Sequence, residues 1–195
     1  YQIRLAVRSE LEDIAAGDSV LVAASGGADS SALAAALLLE CKAKSIKVIA
    51  LIIDHGLQKN SADVTHETKR TLTKIGYENI EIRRVTVEIT DGLEASARRA
   101  RYQALSDVAN SHNAVAIFLG HTRDDQAETV LLGLSRGSGS RSLSGMAARV
   151  DHYRRPLLSI TRAQTEAACE EAGIKFWQDP HNQSMEFTRV RVREV

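Results

Sequence analysis

The residues with the strongest potential for chemistry form a short glycine- and serine-rich loop, Ser25-Gly-Gly-Ala-Asp-Ser30. Two adjacent glycines let the backbone turn sharply and approach a ligand closely, because neither carries a Cβ. If a helix follows, its first N–H groups have no intrahelical partner and attract an anion. We therefore expect a polyphosphate site built from Ser25, Gly26, Gly27, Ala28, Asp29 and Ser30. An ordinary helix N-cap with a tight entry turn is the alternative.

This loop differs from both common glycine-rich phosphate motifs. It lacks the lysine of the GxxxxGK[ST] loop, and its glycines do not follow the GxGxxG spacing. Without that lysine, Mg²⁺ must neutralise more of the phosphate charge, and Asp29 is the candidate to hold it.

A second group with chemical potential combines one histidine with three acids, and it lies about one hundred residues further on. Asp125 and Glu128 are three residues apart, so they share a face of a predicted helix. Two such carboxylates, with Asp124 beside them, can bind an amine and accept a proton from it. Acids in a first helical turn can instead merely complement the helix dipole. His121 can stabilise charge or orient an acid, or it can be a satisfied polar residue at a strand end.

Arginines supply the candidate contacts to phosphate. Arg98 and Arg101 are three apart in a predicted helix and can clamp a phosphate or a nucleobase, unless they only form a solvated basic face. Residues 136–155 hold five arginines and one acid in a chain of net charge zero. Arg136 and Arg141 flank glycines there, which suits contacts to RNA phosphates, and a simple surface loop is the alternative.

The elements that must position these residues alternate between apolar runs and helix-like stretches, a pattern typical of an α/β protein. We expect a Rossmann-like parallel sheet with helices on both faces. The predicted strands are residues 19–24, 46–53, 80–87 (as an edge strand), 114–119 and, weakly, 150–154. The predicted helices are residues 30–44, 62–75, 93–110, 124–134 and 161–172. Parallel strands then bring Ser25, Asp54 and His121 to one edge, where open α/β sheets bind ligands.

The loop resembles the SGGxDS signature of the PP-loop ATP pyrophosphatases, enzymes that release pyrophosphate from ATP and leave AMP on an acceptor oxygen. Five further stretches are similar to blocks of one family among them, the tRNA(Ile)-lysidine synthetases. They are Asp54-His-Gly-Leu57, Glu94-Ala-Ser-Ala-Arg-Arg-Ala-Arg-Tyr102, Gly120-His-Thr-Arg-Asp-Asp-Gln-Ala-Glu-Thr129, Arg136-Gly-Ser-Gly-Ser-Arg-Ser-Leu-Ser-Gly-Met146 and Arg155-Pro-Leu-Leu158.

The resemblance implies a two-step reaction with ATP and Mg²⁺. ATP adenylates the C2 oxygen of the wobble cytidine in an isoleucine tRNA with a CAU anticodon, and the ε-amine of free L-lysine then displaces AMP. On this basis we expect catalytic roles for Asp29, Asp125, Glu128, His121 and Arg98. ATP would contact the loop residues together with Asp54 and His55, and Asp29 would hold the metal. The tRNA and lysine would contact Asp124, Asp125, Glu128, Arg101, Arg136 and Arg141.

The resemblance also implies a domain organisation. Residues 1–195 correspond to an N-terminal PP-loop catalytic domain in which residues 136–195 face the tRNA as an appendage, without the further C-terminal domains usual in the family. Asp179-Pro-His-Asn182 fits the family pattern, whereas Val190 stands where an asparagine is usual. Whether the chain is a fragment stays open, as does pairing into a homodimer.

Composition narrows the alternatives. Hydrophobic residues make up 44% of the chain, yet no apolar run approaches the roughly 18 residues of a membrane span. Cys41 and Cys169 form no CxxC motif, which disfavours a disulfide framework or a zinc site and favours the cytoplasm. We expect both cysteines to lie away from the phosphate edge, which counts against a tRNA thiolation enzyme. Another AMP-forming synthetase and a nucleotide-binding module without chemistry remain as further alternatives.

Overall fold

The computed structural model describes residues 1–54, 56, 61–86, 92–135 and 144–177. Its helices are α1 (Gln2–Ser9), α2 (Ala28–Ala43), α3 (Ser61–Ile75), α4 (Leu93–Ser111), α5 (Arg123–Ser135) and α6 (Arg162–Glu171). Its strands are β1 (Ser19–Ala24), β2 (Lys47–Asp54), β3 (Ile80–Arg84), β4 (Ala114–Phe118), β5 (Arg149–Val150) and β6 (Tyr153–Arg154). No helix within these ranges is both long enough and apolar enough to cross a membrane.

The strands form one sheet in the order β3-β2-β1-β4-β6-β5. Every pair is parallel except the β5–β6 hairpin. Helices cover both faces of this sheet. Side chains from α1, α2, α3 and α6 form one core cluster with it, and α4 forms the other through Leu105, Val108 and Ala109. The predicted α/β class, with a Rossmann-like parallel sheet and helices on both faces, is therefore confirmed.

Two local features differ from the sequence prediction. Helix α1 was not expected; it forms because Ile3 and Val7 bury one face against the core, while Arg4 and Arg8 pair with Glu40 of α2 at 2.7 and 2.8 Å. The single weak strand predicted for residues 150–154 is wrong. Asp151 takes a left-handed backbone conformation (φ 52°), so the chain reverses there and forms the β5–β6 hairpin.

Residues 144–177 belong to the same folded body as the rest of the described chain. Strand β6 extends the sheet beside β4, and Leu157, Ile160 and Cys169 are buried in the core cluster that contains α2. The first turn of α6 thereby comes to lie against the phosphate loop.

Candidate active site

The phosphate loop connects β1 to α2 and is closed by its own serines. The Ser30 hydroxyl accepts the N–H of Ser25 at 3.2 Å and donates to the carbonyl of Gly27 at 3.0 Å. The Ser25 hydroxyl lies 3.1 Å from that of Ser30. Gly27 is the N-cap residue of α2, and no side chain caps this helix end. The first amides of α2 are therefore positioned to receive an anion.

The two glycines of the loop serve different purposes. Gly26 has φ 86°, and a Cβ added there would lie 2.3 Å from Oγ1 of Thr68 in α3. Its carbonyl also accepts the N–H of Trp177 at 2.9 Å, so this residue is required by the fold. Gly27 has φ −73°, and the nearest atom to an added Cβ is Ser25 Oγ at 3.8 Å. Only at Gly27 would a side chain alter the space above the loop without disturbing the packing.

A cavity of about 230 Å³ lies beside the loop, at the carboxyl ends of β1 and β2. Ala24, Ile52 and Val64 supply apolar lining, and Arg101 reaches it from α4. Asp54 also lines the cavity, and its Oδ1 accepts the N–H of Gly56 at 2.9 Å. An apolar cleft with a few polar groups, next to the phosphate loop, fits a nucleoside.

Gly120 brings the end of β4 against the phosphate loop. A Cβ at Gly120 would lie 3.1 Å from the backbone nitrogen of Ser30 and 3.2 Å from the carbonyl oxygen of Asp29. This close approach requires a residue without a side chain. It places His121 and the start of α5 next to the first turn of α2, as the predicted sheet edge requires.

The carboxylates at this edge are joined by Arg162, a residue that the sequence analysis did not identify. Its Nε donates to Asp29 Oδ2 at 3.3 Å, and its Nη2 donates to Asp125 Oδ1 at 3.2 Å. Its backbone N–H donates to Asp124 Oδ2 at 2.8 Å, and its side chain also experiences the charge of Glu128. Arg162 is the only Lys or Arg within the predicted helix 161–172. A search for a counter-ion to these acids could have found it.

Two acids of this group, Asp125 and Asp29, are held by further polar contacts. The backbone N–H and hydroxyl of Thr122 donate to Asp125 Oδ2 at 2.8 and 3.0 Å, so Asp125 also caps α5. Asp29 Oδ1 hydrogen-bonds the hydroxyl of the fully buried Thr165. Burial raises the pKa of Asp29, although Thr165 and Arg162 act in the opposite direction. Glu128 is 7% exposed. The contacts of Asp29 and Asp125 thus give these two acids a structural role at this edge.

His121 lies among cations. Burial lowers its pKa to about 4, and the charge of Arg101 adds to this effect. The ring is therefore neutral near pH 7, and stabilising negative charge as an imidazolium is disfavoured. Arg98 and Arg101 do not share one clamp: Arg98 is exposed with its Cζ 5.0 Å from the ring centroid of Tyr102, whereas Arg101 is partly buried at the cavity.

Magnesium would depend on the nucleotide for most of its ligands. In the described ranges, no three His, Cys, Asp or Glu side chains cluster as metal ligands. Asp29 is nevertheless suited to Mg²⁺, which usually takes one or two carboxylates together with substrate phosphates. Several predicted residues fall outside the described residues, namely His55, Arg136, Arg141, the 179–182 motif and Val190.

One expectation about the cysteines is wrong. Cys169 does not lie away from the phosphate edge, because its Sγ is 3.5 Å from the carbonyl oxygen of Ala28 in the loop. Packing of α6 on α2 brings it there. Both cysteines are nevertheless free and buried, and burial raises the pKa of Cys41 to about 12 and that of Cys169 to about 11. Neither thiol is activated as a nucleophile.

Comparisons with known proteins agree with this geometry. Residues 3–195 match a family model described as a PP-loop domain. Curated relatives named tRNA(Ile)-lysidine synthase include that of Thermobifida fusca, 47% identical over 98% of this chain and 59% of the relative. The Streptomyces coelicolor protein is 50% identical over 89% of this chain and 50% of its own length. That of Rhodococcus jostii is 47% identical over 98% and 57%.

This chain therefore spans between half and three fifths of the length of these relatives. A similar solved structure is the U34-tRNA thiolase NcsA from Methanococcus maripaludis with its [4Fe-4S] cluster. It superposes with a TM-score of 0.82 over 99% of this chain and 70% of the thiolase, at 20% sequence identity, so this likeness concerns the fold. The family match supports use of ATP by this domain. By its sequence over residues 3–195 and by its sheet and phosphate loop, the chain belongs to the PP-loop domain family.

Proposed function

We propose that residues 1–195 are the N-terminal catalytic domain of a tRNA(Ile)-lysidine synthase. In this proposal the domain adenylates the C2 oxygen of the wobble cytidine of a CAU-anticodon isoleucine tRNA, and lysine then displaces AMP. The relatives that carry this name support it. The observation that carries it is the position of Arg162, within 3.3 Å of both Asp29 of the phosphate loop and Asp125 of α5. Because one cation reaches both carboxylates, this geometry supports a phosphate site and an amine site that adjoin.

The first half-reaction would use the loop and the adjoining cavity. The adenosine would occupy the cavity beside Asp54, and the amides at the start of α2 would receive the pyrophosphate. Mg²⁺, held at Asp29, would neutralise phosphate charge. Adenylation converts the C2 oxygen, a poor leaving group, into part of AMP, a good one.

The second half-reaction requires a neutral amine. The ε-amine of lysine has an unperturbed pKa of about 10.4, so it arrives protonated and must lose a proton before it attacks. Asp125 and Glu128 would bind the ammonium group and accept this proton. Asp124 orients the region by receiving the N–H of Arg162 at the start of α6. His121 would contribute as a neutral ring, and Arg98 as a cation at the rim.

The tRNA would be captured mainly by residues 136–195, with Arg136 and Arg141 contacting phosphates. We place the reaction in the cytoplasm, where the tRNA, ATP and free lysine occur together. Pairing of two copies is part of the same proposal, and light scattering of the purified chain tests it. Thiolation is disfavoured because both cysteines are buried with raised pKa values.

The test is incorporation of labelled lysine into RNA. The chain is incubated with ATP, Mg²⁺, labelled lysine and a transcript of a CAU-anticodon isoleucine tRNA, and released pyrophosphate is measured in parallel. The matched control transcript carries uridine in place of the wobble cytidine. We expect label and pyrophosphate with the first transcript alone. ATP binding without pyrophosphate release would instead identify a nucleotide sensor.

A further inference from the structure

Two arginines converge on one phenol oxygen beside the candidate active site. Arg98 Nη2 lies 3.3 Å from the hydroxyl oxygen of Tyr102, and Arg155 Nη2 lies 3.4 Å from the same atom. Tyr102 is itself held by Tyr153, whose ring meets it edge-on at 5.1 Å and whose hydroxyl lies 2.9 Å from that of Ser106. The guanidinium groups of Arg98 and Arg155 thus share the hydroxyl oxygen of Tyr102 as an acceptor, and Tyr153 holds Tyr102 in place.

Arg155 is unusual in being a buried cation with no acidic partner. It is 7% exposed, and its side-chain hydrogen bonds within the described ranges go to the carbonyl of Ala147 and the hydroxyl of Tyr102 rather than to a carboxylate. Its Nη1 donates to the carbonyl of Ala147 at 3.0 Å, whereas its Nε has no hydrogen-bond partner. The Nδ1 atom of His121 is likewise buried without a partner. Burying a charge or a polar atom without compensation costs free energy of folding, which makes these groups candidates for binding a ligand.

The surrounding charges specify an anion. Arg101 and Arg98 lie close enough to His121 for their charges to act on the ring, as Arg155 does. Asp125, the acid that acts on this histidine, is already bound to Arg162 and Thr122. Guanidinium groups bind phosphate oxygens through parallel hydrogen bonds, which suits a phosphate ester.

The position of Arg155 favours RNA over ATP as the source of that phosphate. Arg155 follows β6, on the far side of β4 from the nucleotide cavity at β1 and β2. The segment that holds it is residues 144–148, through the carbonyls of Ala147 and Ala148. Gln126 anchors the same segment by accepting the N–H of Met146 at 2.5 Å and donating to its carbonyl at 2.8 Å. In the chain, this segment directly follows residues 136–143, a Gly/Ser/Arg-rich stretch that contains Arg136 and Arg141.

We propose that Arg155 and Arg98, supported by Tyr102, form a binding site for a phosphodiester of the RNA substrate next to the target cytidine. The site rests on the proposed function for the identity of the RNA. It orients the acceptor from the side opposite the ATP cavity, so that the C2 oxygen faces the phosphate loop. Binding of the RNA phosphate compensates the remaining desolvation of the Arg155 guanidinium, whose Nε has no partner among the described residues.

A double-mutant cycle between protein and RNA tests the site. The ligand is an anticodon stem-loop RNA with the CAU anticodon, in which a neutral methylphosphonate replaces each phosphate flanking the target cytidine in turn. We expect Arg155→Met to weaken binding about tenfold, the effect of one charged hydrogen bond. One methylphosphonate should weaken wild-type binding to the same extent and have no further effect on the variant. Arg4→Met is the control, because Arg4 pairs with Glu40 at 2.7 Å outside the residues proposed to bind RNA, and the substitution removes an equal charge.

The other outcomes overturn the site. Unchanged RNA binding with weakened ATP binding in Arg155→Met would assign the cluster to the nucleotide. Additive losses from the substitution and the methylphosphonate would show that the two groups do not meet. If Arg155→Met does not fold, the cycle is run with Arg98→Met at the exposed rim. Failure of lysine incorporation alongside the expected coupling would refute the proposed function and leave the phosphodiester site standing.

Discussion

The charged side chains on the two flanks of the phosphate loop differ in whether they have an oppositely charged partner. On the acidic flank, Asp29 and Asp125 share one cation of the protein, Arg162. On the cationic flank, Arg155 is buried without a carboxylate partner among the described residues, and the buried Nδ1 of the neighbouring His121 has no hydrogen bond. Arg154, the residue before Arg155, is by contrast paired with Asp13 at 2.6 Å.

This difference distinguishes charges that stabilise the fold from charges that we propose bind substrate. A partly buried ion pair that also receives hydrogen bonds from Thr122 and Thr165 fixes the arrangement of α2, α5 and α6. A buried cation without an acid stabilises the folded state less, because hydrogen bonds to neutral acceptors compensate only part of its desolvation. The acidic flank is therefore preorganised, whereas in our proposal an anion completes the cationic flank.

The largest expected effect concerns the loop that both flanks share. Gly27→Val should reduce ATP affinity by at least about 100-fold, since the branched side chain fills the space meant for phosphate oxygens, while the fold persists because an added Cβ meets no atom closer than 3.8 Å. Isothermal titration calorimetry measures the affinity. The matched variant Gly26→Ala should instead lower the melting temperature, because its Cβ would lie 2.3 Å from Thr68 Oγ1. Unchanged ATP affinity in Gly27→Val would remove the loop from the mechanism.

The acidic flank should separate the two half-reactions. Glu128→Gln and Asp125→Asn should each leave adenylation of the tRNA largely intact and slow lysine transfer by about 10²-fold, the usual contribution of a general base. Glu128→Gln is the cleaner variant, because Asp125 also caps α5 through Thr122. Single-turnover assays that follow pyrophosphate release and lysine incorporation separately measure both steps. Equal loss of both steps would assign these acids to magnesium or to structure.

The contrast itself can be tested by the stability of two matched variants. Arg162→Met should lower the free energy of unfolding by about 2 kcal/mol, because it leaves Asp29 and Asp125 without their shared cation. Arg155→Met should stay within about 1 kcal/mol of wild type, since loss of its bonds to Ala147 and Tyr102 is offset by removal of an unpaired buried charge. Urea denaturation gives both values. Equal destabilisation would mean that the two flanks do not differ.

A smaller effect is expected for Arg136 and Arg141, the arginines of the Gly/Ser/Arg-rich stretch. Arg136→Ala and Arg141→Ala should each flatten the log–log salt dependence of tRNA binding by roughly 0.7 to 0.9, the value for one phosphate contact, with ATP affinity unchanged. Filter binding across a salt series measures the slope, and ATP titration is done alongside. An unchanged slope would exclude RNA contacts by these residues. Weaker ATP binding would place them on the triphosphate.

Much of the architecture could be predicted from local patterns. The strand predicted for residues 19–24 is β1 of the structure, and the predicted helix 62–75 differs from α3 by one residue at its start. These elements follow from apolar runs and from punctuation by glycine, which depend on neighbours in sequence. Helix α1 escaped prediction because its partners are distant in sequence: Ile3 and Val7 pack into the core, and Arg4 and Arg8 pair with Glu40, some thirty residues away.

Local patterns were enough to predict the class of sheet, the phosphate loop and the edge on which Ser25, Asp54 and His121 lie. How the charges at that edge are paired depends on long-range packing. Arg162 lies 133 residues after Asp29, and Arg155 lies 53 after Tyr102. Partners so distant in sequence meet only when β6 joins β4 and α6 packs on α2. Whether a buried charge is paired depends on that packing.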